Sequence, residues 1–295
     1  MQLQMNRTVL MSGVDYFDDQ AAINPFMNKR IPVDRRKAAT EHSSIRKALQ
    51  NAGVKVIQVK PPLDCQDGVY TANWALVRGK RAVMSRLPNA RKGEEFYAEQ
   101  VLRDLGKVIY KVPSDIHFSG QGDALPCGNY LFAGTGYRTQ AAAHSYIADT
   151  LGFELITLQT IPLKTWYGRP KINRDSGWPD SFFYDIDLAL SVLRPPSDKH
   201  KGLIAWCPDA FLPASRIKLH NFDGVEKIEV SLAEAKRAFA CNLVSTGKTV
   251  VMSADAPVFA AKLQKHGFQL VTPQITELAK GGGYIRCTTL TLDNE

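Results

Sequence analysis

Five times along this chain one polar residue stands at the mouth of an apolar run. Asn73 opens NWALV, Asp123 lies in GQGDAL, Asp187 in DIDLAL, Asn242 heads NLV, and Cys287 ends GGGYIRC before TTLTL. These positions recur at roughly 50-residue intervals, the mark of a structural repeat rather than of independent motifs. Five units that each point a polar group one way imply a repeat architecture around one central site. Cys287 follows three glycines at a loop-to-strand junction, a placement expected to expose its thiol. The segments 73–85 (NWALVRGKRAVMS) and 242–253 (NLVSTGKTVVMS) repeat one pattern: Asn, apolar run, Gly-Lys turn, second apolar run ending Val-Met-Ser.

Short runs of aliphatic and β-branched residues predict strands at 9–12, 54–59, 82–85, 108–112, 130–134, 154–158, 202–206, 248–253, 268–271 and 287–292. Helical periodicity is expected over 35–53, 94–106, 138–152, 231–240 and 256–267, with Ser231 as an N-cap and glycine closing four of the five. Nothing between the units has linker composition, so residues 1–295 are expected to form one domain. The Gly-, Pro- and Trp-rich segment 164–181 is an insertion or a loop over the site.

The formal net charge of +8 is scattered along the chain, with 29–37 (KRIPVDRRK) the densest cluster. That describes a solvated basic surface with a general attraction for anions, not a nucleic-acid footprint. The N-terminus lacks the apolar core of a signal peptide, and no stretch is long enough to span a membrane, so a cytoplasmic protein without a membrane partner is expected. Five cysteines without a C-x-x-C pair indicate neither a disulfide framework nor a zinc site. Neither cofactor nor metal is expected.

Eight motifs in order carry a resemblance. DYFDDQAAINPFMN (15–28) is similar to an N-terminal segment with an INPW-type lid, DGVYTANWALV (67–77) to D-x-V-F-x-x-N/D, and NARKGEE (89–95) to R-x-x-E. FSGQGDAL (118–125) is similar to F-E-G-x-G-D, GTGYRT (134–139) to G-x-G-x-R-T, and FFYDIDLAL (182–190) to F-Y-H-L-D-x-A-L; AFACNLV (238–244) and GGGYIRC (281–287) complete the series. Over nearly its whole length the chain resembles the pentein, or guanidino-group-modifying, superfamily: arginine deiminases and dihydrolases, dimethylarginine dimethylaminohydrolases and amidinotransferases. The resemblance implies an α/β fold, a fivefold pseudo-symmetric α/β-propeller of five ββαβ-type repeats with the site on the pseudo-axis.

It also implies a cysteine-dependent hydrolase of C–N bonds in an arginine-like guanidino or ureido compound, acting through a thiouronium on Cys287. Asp123 and Asp187 match the family's acidic partners of the planar guanidinium, and Asp67 a further ligand near the lid. Asn73 stands where arginine-dihydrolase-like members carry Asn. Arg91 and Arg138 correspond to residues that hold the substrate's α-carboxylate, and Ser119 and Gly282 are also expected among the substrate-binding residues. The sequence departs from the pattern twice: Asp185 replaces the catalytic histidine and Ser119 the expected acid. Asp185 is either a substitute acid–base group with a raised pKa or an extra clamp on a cation, and His117 is the one histidine near enough in sequence to lean in. Two other functions stay open: an amidinotransferase, or a catalytically silent pentein that binds a ligand. Oligomeric state is not readable.

Overall fold

The fold repeats one construction five times. Strand β1 (Thr8–Met11) is followed by helix α1 (Arg35–Asn51) and by β2 (Lys55–Gln58), which pairs parallel with β1. A parallel neighbour needs a long crossover, and the helix supplies it. The second unit shows the whole motif: β3 (Ala75–Arg78) turns into antiparallel β4 (Arg81–Met84), α2 (Gly93–Asp104) crosses, and β5 (Val108–Lys111) lies parallel to β4. The third contains β6 (Ala124–Cys127), β7 (Tyr130–Gly134), α3 (Ala141–Leu151) and β8 (Glu154–Leu158). The fourth contains β9 (Leu190–Arg194), β10 (Gly202–Trp206), α4 (Pro213–His220) and β11 (Val225–Glu229). After α5 (Leu232–Arg237) come β12 (Val244–Ser245), β13 (Thr249–Val251), α6 (Pro257–Lys265) and β14 (Gln269–Val271). The short helix α7 (Glu277–Lys280) leads to β15 (Leu290–Thr291), which pairs antiparallel with β1 and so supplies the missing first strand of the first unit.

The result is five three-stranded sheets, each ββαβ, arranged with fivefold pseudo-symmetry. The computed structural model describes residues 4–294; residues 1–3 and 295 of the expected 1–295 unit lie outside the described residues. Helices cover the sheets through apolar stripes. In α1 the buried positions Ala38, Ile45, Ala48 and Leu49 fall on one helical face, and Asp34 caps its N-terminus by accepting from the Arg36 and Lys37 amides at 3.0 and 3.1 Å. Glu41, on the same helix, accepts from the backbone amides of Thr276, Glu277 and Leu278 and holds α7 in place. No helix among the described residues is long and apolar enough to cross a membrane.

Several sequence expectations are corrected. The helix expected over 138–152 begins at Ala141, so Arg138 does not open it; it lies in the loop before. The strand expected over 287–292 is reduced to Leu290–Thr291, because Thr288 and Thr289 still belong to turns closed on Tyr284 and Arg286. Helices α4 and α7 and strands β3, β6, β9, β11 and β12 were not among the expected elements. The segment 164–181 is irregular, and it packs on the lid: Asp175 accepts from the Ala22 amide, and Asn173 donates to the Ala22 carbonyl, both at 3.0 Å.

Candidate active site

The polar residues at the strand mouths reach the axis through one local device. A single 3-10 turn precedes the first strand of three units: Thr71–Trp74, Gly120–Gly122 and Ile186–Leu188. The turn tips Asn73, Asp123 and Asp187 inward just before the chain extends. Asn242 and Cys287 occupy the matching places in the last two units. All five are buried.

Cys287 and Asn242 clasp each other. The Asn242 Nδ2 donates to Cys287 Sγ at 3.1 Å, and its Oδ1 accepts from the Cys287 amide at 3.1 Å. The thiol in turn points at Asp187 Oδ2, 3.5 Å away. Asp187 Oδ1 is buried with no partner. Asp123 Oδ1 accepts from the Ile186 amide at 2.9 Å, fixing the turn that carries Asp187. Two glycines make this convergence possible. A Cβ at Gly134 would overlap the Asp123 carboxylate, and one at Gly122 would sit 2.7 Å from Asp185 Oδ2.

The two departures from the family pattern touch each other. Ser119 Oγ donates to Asp185 Oδ1 at 2.9 Å, and Asn73 Nδ2 donates to Asp185 Oδ2 at 2.7 Å. Arg138 Nη1 stands 3.9 Å from the same carboxylate, with its guanidinium 3.9 Å above the Tyr184 ring and Nη2 donating to the Ile23 carbonyl of the lid. Both Asp185 oxygens are therefore taken up by hydrogen-bond donors, with the Arg138 guanidinium close by. Ser119 serves Asp185 and does not stand open as a substrate ligand.

Arg91 has a different occupation from the one expected. It is buried, pairs with Glu94 through Nε and Nη2 at 2.7 Å each, and donates to Asn73 Oδ1 at 2.7 Å and to the Asp67 and Tyr70 carbonyls. A fork so engaged holds Asn73, turning its amide nitrogen toward Asp185; it does not present itself to a substrate carboxylate. Asp67 lies beside it, buried, with Gln66 donating to one oxygen at 3.1 Å.

Burial dominates the electrostatics. Desolvation, reinforced by the neighbouring charge of Asp185, raises Asp123 to about 8 and Asp187 well above the carboxylate range. Burial, with Glu94 beside it, outweighs Arg91 in raising Asp67 to about 6. The Cys287 thiol is also pushed up, first by burial and then by Asp187. It rests as a thiol, and an arriving cation favours its ionisation.

Cys287 is not exposed as its glycine-rich loop suggested; it is 2% accessible. The three glycines let the loop lie directly against Tyr70, Phe17 and Asn24, with Asn24 donating to the Gly281 carbonyl at 2.9 Å and Tyr184 to that of Gly282 at 2.6 Å. Gly282, at φ 86°, thus joins lid to loop. His117 does not lean in: it packs tilted against Trp178, with ring centroids 4.7 Å apart. Among the described residues no histidine hydrogen-bonds to Cys287, Asp185 or Asp187; the buried His144 bonds to Gly134 and Thr157. Asn242, one of the five residues expected at the central site, was given no role in the sequence reading; the structure makes it the hydrogen-bond partner of Cys287.

A family model described as N,N dimethylarginine dimethylhydrolase, eukaryotic, matches residues 16–166. The N(G),N(G)-dimethylarginine dimethylaminohydrolase of Mycobacterium tuberculosis is 32% identical over 287 residues, 96% of this chain and 85% of that one. The chain belongs to the dimethylarginine dimethylaminohydrolase family. Within that wider kinship, the bifunctional arginine dihydrolase/ornithine cyclodeaminase of Nostoc sp. is 32% identical over 286 residues, covering 95% of this chain and 37% of that protein. The chain therefore spans less than two fifths of that bifunctional relative. The N-terminal domain of a cyanobacterial arginine dihydrolase, solved with its substrate, superposes with a TM-score of 0.84 at 29% identity, over 97% of this chain and 98% of that one. A variant of the same domain was solved covalently bound to a reaction intermediate. A dimethylarginine dimethylaminohydrolase adduct at 17% identity and TM-score 0.70 shares the pentein fold.

Proposed function

We propose that this chain hydrolyses a C–N bond of an arginine-like guanidino compound through a covalent intermediate on Cys287. The observation that carries the reading is the buried Cys287 thiol, clasped by Asn242 and 3.5 Å from Asp187 at the edge of a cluster of carboxylates. A guanidinium is planar and cationic; carboxylates hold it, and its charge draws the thiol toward thiolate. Sulfur then attacks the central carbon, an amine leaves, and water releases the product from the thiouronium. The relatives named as dimethylarginine dimethylaminohydrolase and arginine dihydrolase support an arginine-derived substrate.

The test is intact-mass measurement of the protein mixed with arginine, methylated arginines, agmatine or citrulline, followed by product analysis. A mass gain on Cys287 with release of ammonia or an alkylamine is expected from at least one guanidino compound. An unmodified thiol with all of them, and no product, removes the reading and leaves a ligand-binding pentein.

A further inference from the structure

In this family pattern a histidine moves the proton that the thiol loses and the leaving nitrogen gains; here Asp185 occupies its place. Asp185 is poorly suited to that work. Both of its oxygens accept, from Ser119 and from Asn73, and Arg138 stands behind. No acceptor waits for a proton carried there. The neighbouring carboxylate is different. Asp187 has one oxygen in contact with Cys287 Sγ and the other buried without a partner.

Resting on the hydrolase reading above, we propose that Asp187 is the proton carrier of the first step, with Asp185 a fixed anionic clamp. As the Cys287 sulfur forms its bond to the guanidinium carbon, the S–H proton passes to Asp187 Oδ2. As the carbon–nitrogen bond breaks, Asp187 returns that proton to the departing nitrogen, which leaves as a neutral amine. The cationic charge of the substrate stays on the thiouronium, so atoms and charge balance with no outside reagent. In the second step the same carboxylate takes one proton from the attacking water and hands it to the leaving sulfur; the other water proton, surplus once the cation has become an uncharged ureido product, is released to solvent.

The groups facing Asp187 fit the role. Burial, then Asp185 and Asp123, raise its proton affinity, and Arg286 opposes them; Cys287, Tyr184 and Cys241 are the other titratable side chains that feel its charge. The entering guanidinium tips this balance toward the carboxylate, making Asp187 an acceptor only when a substrate is present. The same contact keeps the unoccupied thiol protonated and quiet.

The test compares two substrates. One is the guanidino compound that labels the wild-type protein; the other is its S-alkylisothiouronium analogue, whose thiolate leaves without being protonated first. For Asp187→Asn, labelling of Cys287 by the guanidino compound is expected to fall by about 100-fold or more at every pH, since both the base and the acid are gone. The analogue is expected to recover to within about tenfold of wild type in alkaline solution, where the thiol ionises unaided. Asp185→Asn is expected to raise KM without that leaving-group dependence. Asp187→Asn labelling the guanidino compound at near wild-type rate, loss with both compounds at all pH values, or the leaving-group dependence appearing in Asp185→Asn instead, each overturns the assignment. Should Asp187→Asn not fold, wild type decides alone: its labelling rate must be nearly insensitive to the leaving group's basicity, and a steep dependence refutes internal proton donation. A wild-type protein inert to both compounds fails the hydrolase reading itself, a result distinct from each of these.

Discussion

Glu94→Gln is the perturbation that separates a structural Arg91 from a substrate-holding one. Glu94 takes both prongs of the Arg91 fork at 2.7 Å and the Trp74 indole N–H at 3.0 Å, and the side chains are 2% and 0% accessible. Glutamine keeps the shape but replaces one acceptor with an N–H₂ facing donors, and it removes the carboxylate paired directly with the buried guanidinium. Breaking a fully buried pair from one side costs about 3–5 kcal/mol. For a chain of this size each kcal/mol lowers Tm by about 2 °C, so a fall of about 6–10 °C is expected. Thermal and urea unfolding followed by near-UV circular dichroism read it directly. The double variant Arg91→Met with Glu94→Leu removes the charges together and is expected to recover part of the loss. Because Arg91 also orients Asn73, activity in Glu94→Gln is expected to drop even below the melting transition. Unfolding within about 1 kcal/mol of wild type would falsify the structural role of this pair. A variant that folds normally and shows only a higher KM points the same way.

Cys287→Ala is expected to abolish labelling and turnover at a cost of about 1–3 kcal/mol in stability, because the buried Asn242 Nδ2 loses its sulfur acceptor; residual turnover removes Cys287 as nucleophile. Asp185→His, which restores the family's residue, is expected to create no deiminase activity on arginine, since Ser119 and Asn73 are set as donors to a carboxylate and no acid occupies position 119 to orient an imidazole; appearance of citrulline refutes this. Stability is expected to depend on pH through Asp123. Its folded value of about 8 exceeds the 3.8 of the unfolded chain, so the native state binds the extra proton, and this contribution is full below 3.8 and lost as pH rises through about 8. Denaturation midpoints of Asp123→Asn should show a flatter slope across that window than wild type, and an unchanged slope counts against it.

The ring was legible because its parts are local. Gly79 and Gly247, in the two look-alike hairpins, both take positive φ, at 55° and 85°, so similar sequence did mark similar structure. Short or charged elements were hidden. Helix α4 begins at Pro213 and runs eight residues, and the charged alternation of VEKIE in β11 lacks a long apolar run. Long-range chemistry was hidden for a different reason. The Asn73–Asp185 hydrogen bond spans 112 residues and the Ser119–Asp185 bond 66, and no periodicity reports which side chains will meet across units. The two substitutions keep the count of acids constant, one lost at 119 and one gained at 185. In space they are one exchange, a serine donor placed where an acid would have faced the new aspartate. The burial of Cys287 was unreadable for the same reason: Tyr70 and Asn24, which close over its loop, come from distant parts of the chain.

The closure of the ring has a temporal side. Strand β15 pairs with β1, Asp293 accepts from the amides of Arg7 and Thr8, and Cys287 lies only three residues before that last strand. Synthesis runs from the other end, so Asn73, Asp123, Asp187 and Asn242 have all left the ribosome before the thiol is made. A nascent chain therefore carries the other four converging residues for most of its elongation but lacks Cys287, the proposed nucleophile. The thiol meets Asp187 and Asn242 only when the final strand docks beside the first, and that docking also removes the exposed edge of β1 from reach of other chains. Chemical competence and protection from mispairing arrive in the same event.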